Sequence, residues 1–302
     1  MSSIEVRPFR RDDRDQLTRL VNAHVAAVVP GISVSVSTVL HQLEREPDEF
    51  IVDPWVAERA TFVAAQRDEI VAAAHVLRYA DDERVGPSYR RAGEIRWVVH
   101  WPVTPLRGDT SAAADGVLAA SVAQLERWRV ERQYADGALP APGVYGIPEQ
   151  WPHVAASLER AGFRHDGRVE IVLIADVAAL RAEDGRVDGV TFRRTLGVNG
   201  TRLSAVVGSE QIGLIEVEPL QTAERTPRLG GWADVGNLHV DAANRRRGIG
   251  RSLVARAAEW LRLGGVDRLL AYADADDRAC LEFLRRVGFL ELTRTRRGWR
   301  RT

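Results

Sequence analysis

Asn237-Leu-His-Val-Asp-Ala-Ala-Asn-Arg-Arg-Arg-Gly-Ile-Gly250, within Trp232–Leu263, reads as a strand, a tight basic loop and the start of a helix. Asn237 to Val240 is short, partly β-branched and bounded by turn formers. From Ile249 to Leu263, the residues Leu253, Val254, Ala257, Trp260 and Leu261 recur on one helical stripe. Between strand and helix stand Arg245, Gly248 and Gly250. A helix start leaves backbone N–H groups unpaired and carries the positive end of the dipole, and glycine lets an anion approach that backbone closely. The junction therefore reads as a phosphate cradle, with Arg245, Arg246 and Arg247 adding charge around it.

Two other phosphate loops do not fit. A Walker A loop needs a lysine after its second glycine, and this chain has none: its 42 Lys+Arg residues are all arginine. A dinucleotide fingerprint needs a third glycine where Leu253 stands. With 302 residues, 45% hydrophobic and 28% charged, the chain has material for one large core or two ordinary ones. A formal net charge of +0 gives no global argument for nucleic acid or membrane as partner. No apolar run approaches a membrane span, and Met1-Ser-Ser-Ile-Glu-Val-Arg-Pro8 lacks the apolar segment of a signal peptide, so a cytoplasmic location is expected. Cys280, the one cysteine, reads as a packed thiol; no Cys or His pair stands at ligand spacing, and no metal is expected.

The loop does not stand alone. Leu238-x-Val240 precedes it, and the strand Arg268–Tyr272 and the run Asp277-x-x-Cys280-x-x-Phe283-Leu284-x-x-x-Gly288-Phe289 follow it. Together these resemble the acetyl-CoA motifs of the GNAT N-acetyltransferase superfamily. The resemblance implies an α/β fold with a mixed sheet, acetyl-CoA as cosubstrate and an amine acceptor. It further implies that the loop residues Arg245, Arg246, Arg247, Gly248, Ile249, Gly250 and Arg251 hold the pyrophosphate. Leu238, His239 and Val240 would offer a splayed strand edge to the pantetheine arm, and Asp277 and Phe283 would contact the donor.

Ser157-Leu-Glu-Arg-Ala-Gly-Phe163 echoes Phe283-Leu-Arg-Arg-Val-Gly-Phe289, which points to two related halves. In the first, the pattern predicts a strand at Ile4–Pro8, helices at Asp12–Val28 and Val36–Glu46, a hairpin about Arg67-Asp68-Glu69, a strand at Glu94–His100, helices at Asp115–Arg132 and Gln150–Ala161, and strands at Val144–Gly146 and Val169–Ala175. Its loop Pro102–Ala112 has no Gly-x-Gly and carries Asp109, so this half is read as degenerate for the cosubstrate. The second half has only a short loop, Arg194–Gly200, where the superfamily places two helices, and is abbreviated. The expectation is two GNAT-like domains in tandem, residues 1–180 and 186–302, joined by the polar stretch Arg181–Gly189.

Acetyl transfer from a thioester to an amine needs a held donor, a deprotonated amine, a stabilised oxyanion and a proton for the departing thiolate. Asp234 is the first candidate base, at a place where some members of the superfamily carry a glutamate; a strand-end aspartate facing solvent is the competing reading. Glu216 and Glu218 share one strand face by alternation and are the next candidates, against ordinary hairpin polarity. Unbroken alternation would put His239 on the face opposite Asp234, Leu238 and Val240. Many members place a tyrosine where Leu284 stands, and leucine cannot protonate a thiolate; Tyr272, on the adjacent strand, is the candidate to replace it. Two classes of function follow: an N-acetyltransferase for a primary amine of a small molecule or peptide, and an acyl-CoA-binding regulatory protein without efficient turnover. Trp55, Trp97, Trp101, Trp128 and Trp151 could line an acceptor cleft or fill a core. The tail arginines Arg294, Arg296, Arg297, Arg300 and Arg301 read as a solvated last strand or a contact to the CoA ribose phosphate rather than a nucleic-acid patch.

Overall fold

The computed structural model describes residues 3–44, 55–103, 108–180, 187–198, 200–220 and 231–302. In chain order the elements are β1 (Ile4–Pro8), α1 (Arg14–Val28), α2 (Val36–Leu43), β2 (Val56–Gln66), β3 (Glu69–Tyr79), β4 (Ala92–His100), α3 (Ser111–Arg127), β5 (Arg132–Ala135), β6 (Ile147–Pro148), α4 (Pro152–Arg160), β7 (Arg164–His165) and β8 (Val169–Asp176). They continue with β9 (Thr191–Gly197), β10 (Gly200–Val207), β11 (Glu210–Leu220), β12 (Gly231–Val240), α5 (Ile249–Leu263), β13 (Val266–Asp274), α6 (Arg278–Val287), β14 (Leu290–Arg296) and β15 (Trp299–Arg301). The polar hairpin signal holds: Gln66 pairs with Glu69, and Arg67 and Asp68 between them both take positive φ, the backbone of a tight two-residue turn. The predicted helix 115–132 starts earlier and stops at Arg127; Arg129 takes positive φ just beyond it, and Arg132 enters a strand instead. Residues 45 and 46 of the second predicted helix, and residues 104–107 and 181–186 of the predicted loop and linker, lie outside the described residues.

Among the described residues two sheets form, with strand orders β1-β2-β3-β4-β5-β15-β7 and β6-β14-β8-β13-β12-β11-β10-β9. Read from opposite ends, the two orders match over seven strands, and β6 is an added edge strand of the second sheet. β1 to β5 correspond to β9 to β13, and β7 corresponds to β14. The strand between differs in origin: β8 fills that place in the second sheet and β15 fills it in the first. The contact units agree, one comprising Met1–Val169 with Thr293–Thr302 and the other Glu170–Leu292. The tail thus ends in an inner strand of the first sheet, with Arg294 and Arg300 exposed. Trp299 is 1% exposed, pairs with Ala135 and His165, and donates its indole N–H to the Arg296 carbonyl at 3.1 Å. Trp299→Ala is expected to destabilise the first unit by about 3–5 kcal/mol, read as a shifted midpoint in denaturant unfolding.

The helix-end echo seen in sequence is also an echo in geometry. Gly162 and Gly288 both take left-handed φ, +87° and +113°, and end α4 and α6. Phe163 N–H returns to Leu158 O at 3.0 Å, and Phe289 N–H returns to Leu284 O at 3.0 Å. These are the long-return bonds of a left-handed helix stop, and each following phenylalanine is buried to 1% or less. Leu284, 2% exposed, is therefore a core residue of the second unit. The units differ in what joins their first two strands. α1 and α2 stand there in the first, whereas β9 and β10 pair directly from Gly200↔Gly197. Most of the loop expected at 194–200 is strand, because Arg194 pairs with Leu203 and lays its guanidinium over the Trp260 ring at 3.8 Å.

Trp97 and Trp151 are fully buried and bonded inside the first unit, Trp97 to Gln42 at 2.8 Å and Trp151 to the His24 carbonyl at 3.1 Å. The core reading holds for these two. No helix among the described residues is long and apolar enough to cross a membrane.

Candidate functional site

In the second unit α5 and α6 pack on one face of the sheet, with Leu253, Ala257 and Leu261 of α5 and Leu281 of α6 against Leu269 and Ala271 of β13. β12 runs parallel to β13 only from Gly231↔Val266 to Asp234↔Leu270. Beyond that row β13 continues against β8 as far as Asp274↔Glu170, and β12 continues against β11 as far as Val240↔Gly213. The two strands part at Asp234. Among the described residues the β12 edge from Val235 to Val240 has no strand partner on that side, as expected of the splayed edge the sequence motif implies.

At the open end of β12 one turn, Ala242–Asn244, leads into Arg245 and the helix. Arg245 donates from Nε to the Val240 carbonyl at 2.9 Å, and Arg247 donates to Asn244 Oδ1 at 2.7 Å, so two of the three arginine side chains tie the loop to itself. Arg246 and Gly248 both take left-handed φ, +65° and +80°, backbone that turns successive N–H groups into a concave anion cradle. Among the described residues no backbone acceptor is found for the N–H groups of Arg246 to Gly250, while the Ser252 N–H donates to Gly248 O at 3.0 Å. Gly250 sits against Phe283: an added Cβ would lie 3.1 Å from that ring and 3.8 Å from Val240. Ile249 is buried beneath the loop, while Arg246 and Arg251 are exposed. These residues fit a diphosphate held by backbone donors, with little room for any side chain at position 250.

β12 does not keep its alternation. Val235 pairs with Val217 and Asn237 with Glu216, leaving Gly236 as an extra residue, a β-bulge. The slip moves every following side chain to the other face. Leu238 and Val240 join Ala233 and Val235 against the helix-covered core, and Asn237 and His239 fall on the face of Asp234. The expected grouping of Asp234 with Leu238 and Val240 is thereby corrected. An isolated glycine in a strand was the available signal. His239 is exposed and faces Asp241 Oδ1 at 3.2 Å.

Asp234 is directly opposite Glu218 on β11 and Leu270 on β13. Burial, and then the Glu218 charge, push its pKa up to about 6. Among the described residues its Oδ1 is buried with no hydrogen-bond partner. A carboxylate desolvated, unpaired and next to a like charge favours taking a proton. Tyr272 stands two residues beyond Leu270, on the same face of β13, and is half-buried. Glu216 is placed differently: 5% exposed, it accepts from Arg202 Nε at 2.7 Å and from the Val198 N–H at 3.3 Å. A carboxylate so held braces β10 on β11. Glu216→Ala is expected to cost about 1–3 kcal/mol by leaving Arg202 without its acceptor, measured by chemical denaturation. Asp277 caps α6, accepting from the Cys280 N–H at 2.9 Å. Half-burial and the Asp277 charge raise the Cys280 thiol pKa, which disfavours a nucleophilic thiolate.

Residues 180–289 match the acetyltransferase (GNAT) family. No curated protein matches the sequence. Among solved structures, a tandem GNAT protein from the clavulanic acid biosynthesis pathway superposes with a TM-score of 0.66 at 14% identity, covering 99% of this chain and 98% of that one. A GCN5-related N-acetyltransferase from Sphaerobacter thermophilus gives 0.61 at 16% identity, with 98% and 94% covered. The glucosamine N-acetyltransferase region of a fungal multi-domain GH3 β-N-acetylglucosaminidase gives 0.65 at 16%; this chain, covered to 99%, spans 38% of that protein. At such identities the likeness is one of fold, and it extends over both units.

Proposed function

We propose that the chain is a tandem GNAT-type protein whose second unit, the part that matches the acetyltransferase (GNAT) family, transfers an acetyl group from acetyl-CoA to a primary amine by direct attack. Acetyl-CoA supplies the activated acyl thioester. The observation that carries the reading is the loop from Arg246 to Gly250, whose N–H groups meet no backbone acceptor among the described residues, set at the mouth of the β12–β13 parting. The loop holds the pyrophosphate, Leu238 to Val240 lie along the pantetheine arm, and the bare β12 edge offers a backbone N–H to the acyl oxygen. Phe283 backs Gly250. Asp234 takes the proton of the substrate ammonium, so that the nitrogen presents a lone pair to the acyl carbon. Glu218, opposite, keeps that carboxyl poised to accept. Tyr272, on the Asp234 face of β13, is the candidate to protonate the leaving thiolate.

The test is thiol release from acetyl-CoA in the presence of a panel of small amines and peptides. Release that depends on the amine, with an acetylated amine as product, supports transfer. Tight acetyl-CoA binding without release would favour the second reading, an acyl-CoA-binding regulatory protein without turnover. One observation favours that alternative: Leu284, 2% exposed in the core, supplies no hydroxyl from α6.

A further inference from the structure

We propose that the first unit carries a second ligand site of its own, in which the carboxylate of Glu94 receives the ammonium group of an amine, against an aromatic wall formed by Tyr79, Tyr89 and Tyr134. The position is set by the repeat. In β4, Ile95 pairs with Val76 and Trp97 with His75, so Arg96 is an extra residue, a bulge matching Gly236 of β12. Glu94 lies two residues before the bulge, as Asp234 does. It also lies in a parallel row with β5, through Glu94↔Tyr134, as Asp234 does with β13, through Asp234↔Leu270. The two carboxylates occupy one place in two copies of a single architecture.

The donor side of that architecture is filled in the first unit. The Asp136 N–H donates to Ile95 O at 2.9 Å and the Ala138 N–H donates to Arg96 O at 3.1 Å, so the chain after β5 covers the β4 edge that is bare in β12. A thioester arm has no strand edge to lie on there. The carboxylate has nevertheless been kept, and keeping it buried is costly unless something compensates it. Glu94 is 4% exposed. Burial pushes its pKa up, against the opposing pull of Arg96. Tyr79 donates its hydroxyl to Oε2, and Arg96 stands 3.5 Å from the same oxygen; among the described residues no donor reaches Oε1.

The groups facing Glu94 are those of a cation site. Tyr89 sits among the rings, 5.1 Å from Tyr79, 5.6 Å from Tyr134 and 6.1 Å from Trp55 by centroids, and it is 37% exposed, giving an outer side open to solvent. Asp136 lies behind, its Oδ1 taken by the N–H groups of Gly137 and Gly146, with Arg96 at 3.9 Å and Arg297 at 3.8 Å from Oδ2. The charged and titratable groups around Glu94 are thus Tyr79, Tyr89, Tyr134, Arg96, Asp136 and Arg297. An ammonium donates to the open oxygen while tyrosine faces stabilise its charge. A neutral Glu94 releases its proton to solvent as the cation enters, and the amine stays an ammonium because an alkylammonium is a far weaker acid than a carboxyl group. The site binds an amine without transferring anything to it.

The test uses the full chain with n-butylammonium as probe and n-butanol as its neutral match, reading the Glu94 carboxyl by carbon NMR across a pH series. The free protein should show a carboxyl titrating above the ordinary range, absent from Glu94→Gln. Saturating n-butylammonium, and not n-butanol, should lower that midpoint by at least one unit, a tenfold or greater difference in affinity between the two protonation states. Tyr79→Phe keeps the carboxylate and should raise the midpoint while leaving the response to ammonium. Asp234→Asn should leave the response unchanged, so loss of the proposed catalytic base and loss of this site give different results. A Glu94 midpoint indifferent to n-butylammonium, equally sensitive to n-butanol, or silenced by Asp234→Asn would overturn the proposal.

Discussion

Asp234→Asn should lower kcat for amine acetylation by about 10²–10⁴-fold, the range over which a positioned general base contributes. Asparagine keeps the size of the side chain and cannot accept the proton. The same substitution should remove the acid limb of the pH profile. With its carboxyl pushed up to about 6, Asp234 works as a base only when ionised, so the wild-type rate should fall as pH drops through about 6. The stability effect runs the other way. The folded-state pKa lies above the unfolded value, so the folded chain holds its proton more tightly, and the ionised group is a cost to folding that grows as pH rises through that interval. At pH 7 and above Asp234→Asn should therefore melt higher than wild type, while at pH 4 the two should nearly coincide. A slower and more stable variant is the signature of a group kept for chemistry. A solvent-facing aspartate would move neither readout.

Gly250→Trp should weaken acetyl-CoA binding by more than about 100-fold, or about 2.7 kcal/mol, measured by calorimetry. A Cβ at this position already lies 3.1 Å from the Phe283 ring, so the side chain cannot settle inward. An indole must then project over the donors of Arg246 to Gly250 and keep an anion from them. Gly250→Ala should do far less, because the phenylalanine ring can yield by a few tenths of an ångström. A graded loss from alanine to tryptophan, with unchanged circular dichroism, separates blocked approach from a misfolded helix.

The phosphate loop and the helix ends were legible because their chemistry is local. Gly248 and Gly250 flank a helix start, and Gly162 and Gly288 stop helices, in positions that neighbouring residues alone specify. Alternation along β12 misled past Gly236, since a bulge depends on the partner strand, and one slipped residue exchanged the faces of Leu238 and His239. The places of β8 and β15 were not legible either. The apolar run of β8 says that it is a strand and the Trp-Arg-Arg of β15 says less, and neither says which sheet receives it; long-range pairing such as Trp299↔Ala135 decides that. Glu216 and Asp234 look alike in sequence, two acidic residues on adjacent strands. What separates them is Arg202, which holds the first, and the absence of any such partner for Oδ1 of the second among the described residues.

The central claim is that the second unit holds acetyl-CoA on the backbone of its Arg246–Gly250 loop. Amide hydrogen exchange of the full chain, with and without acetyl-CoA, reads those donors directly. The account predicts slowed exchange at Arg246 to Gly250 and along Leu238 to Val240 when acetyl-CoA is added, with the matching first-unit segment around Trp101 and Gly108 unchanged. Protection in the first-unit segment instead, or none in the loop at saturating acetyl-CoA, would contradict it.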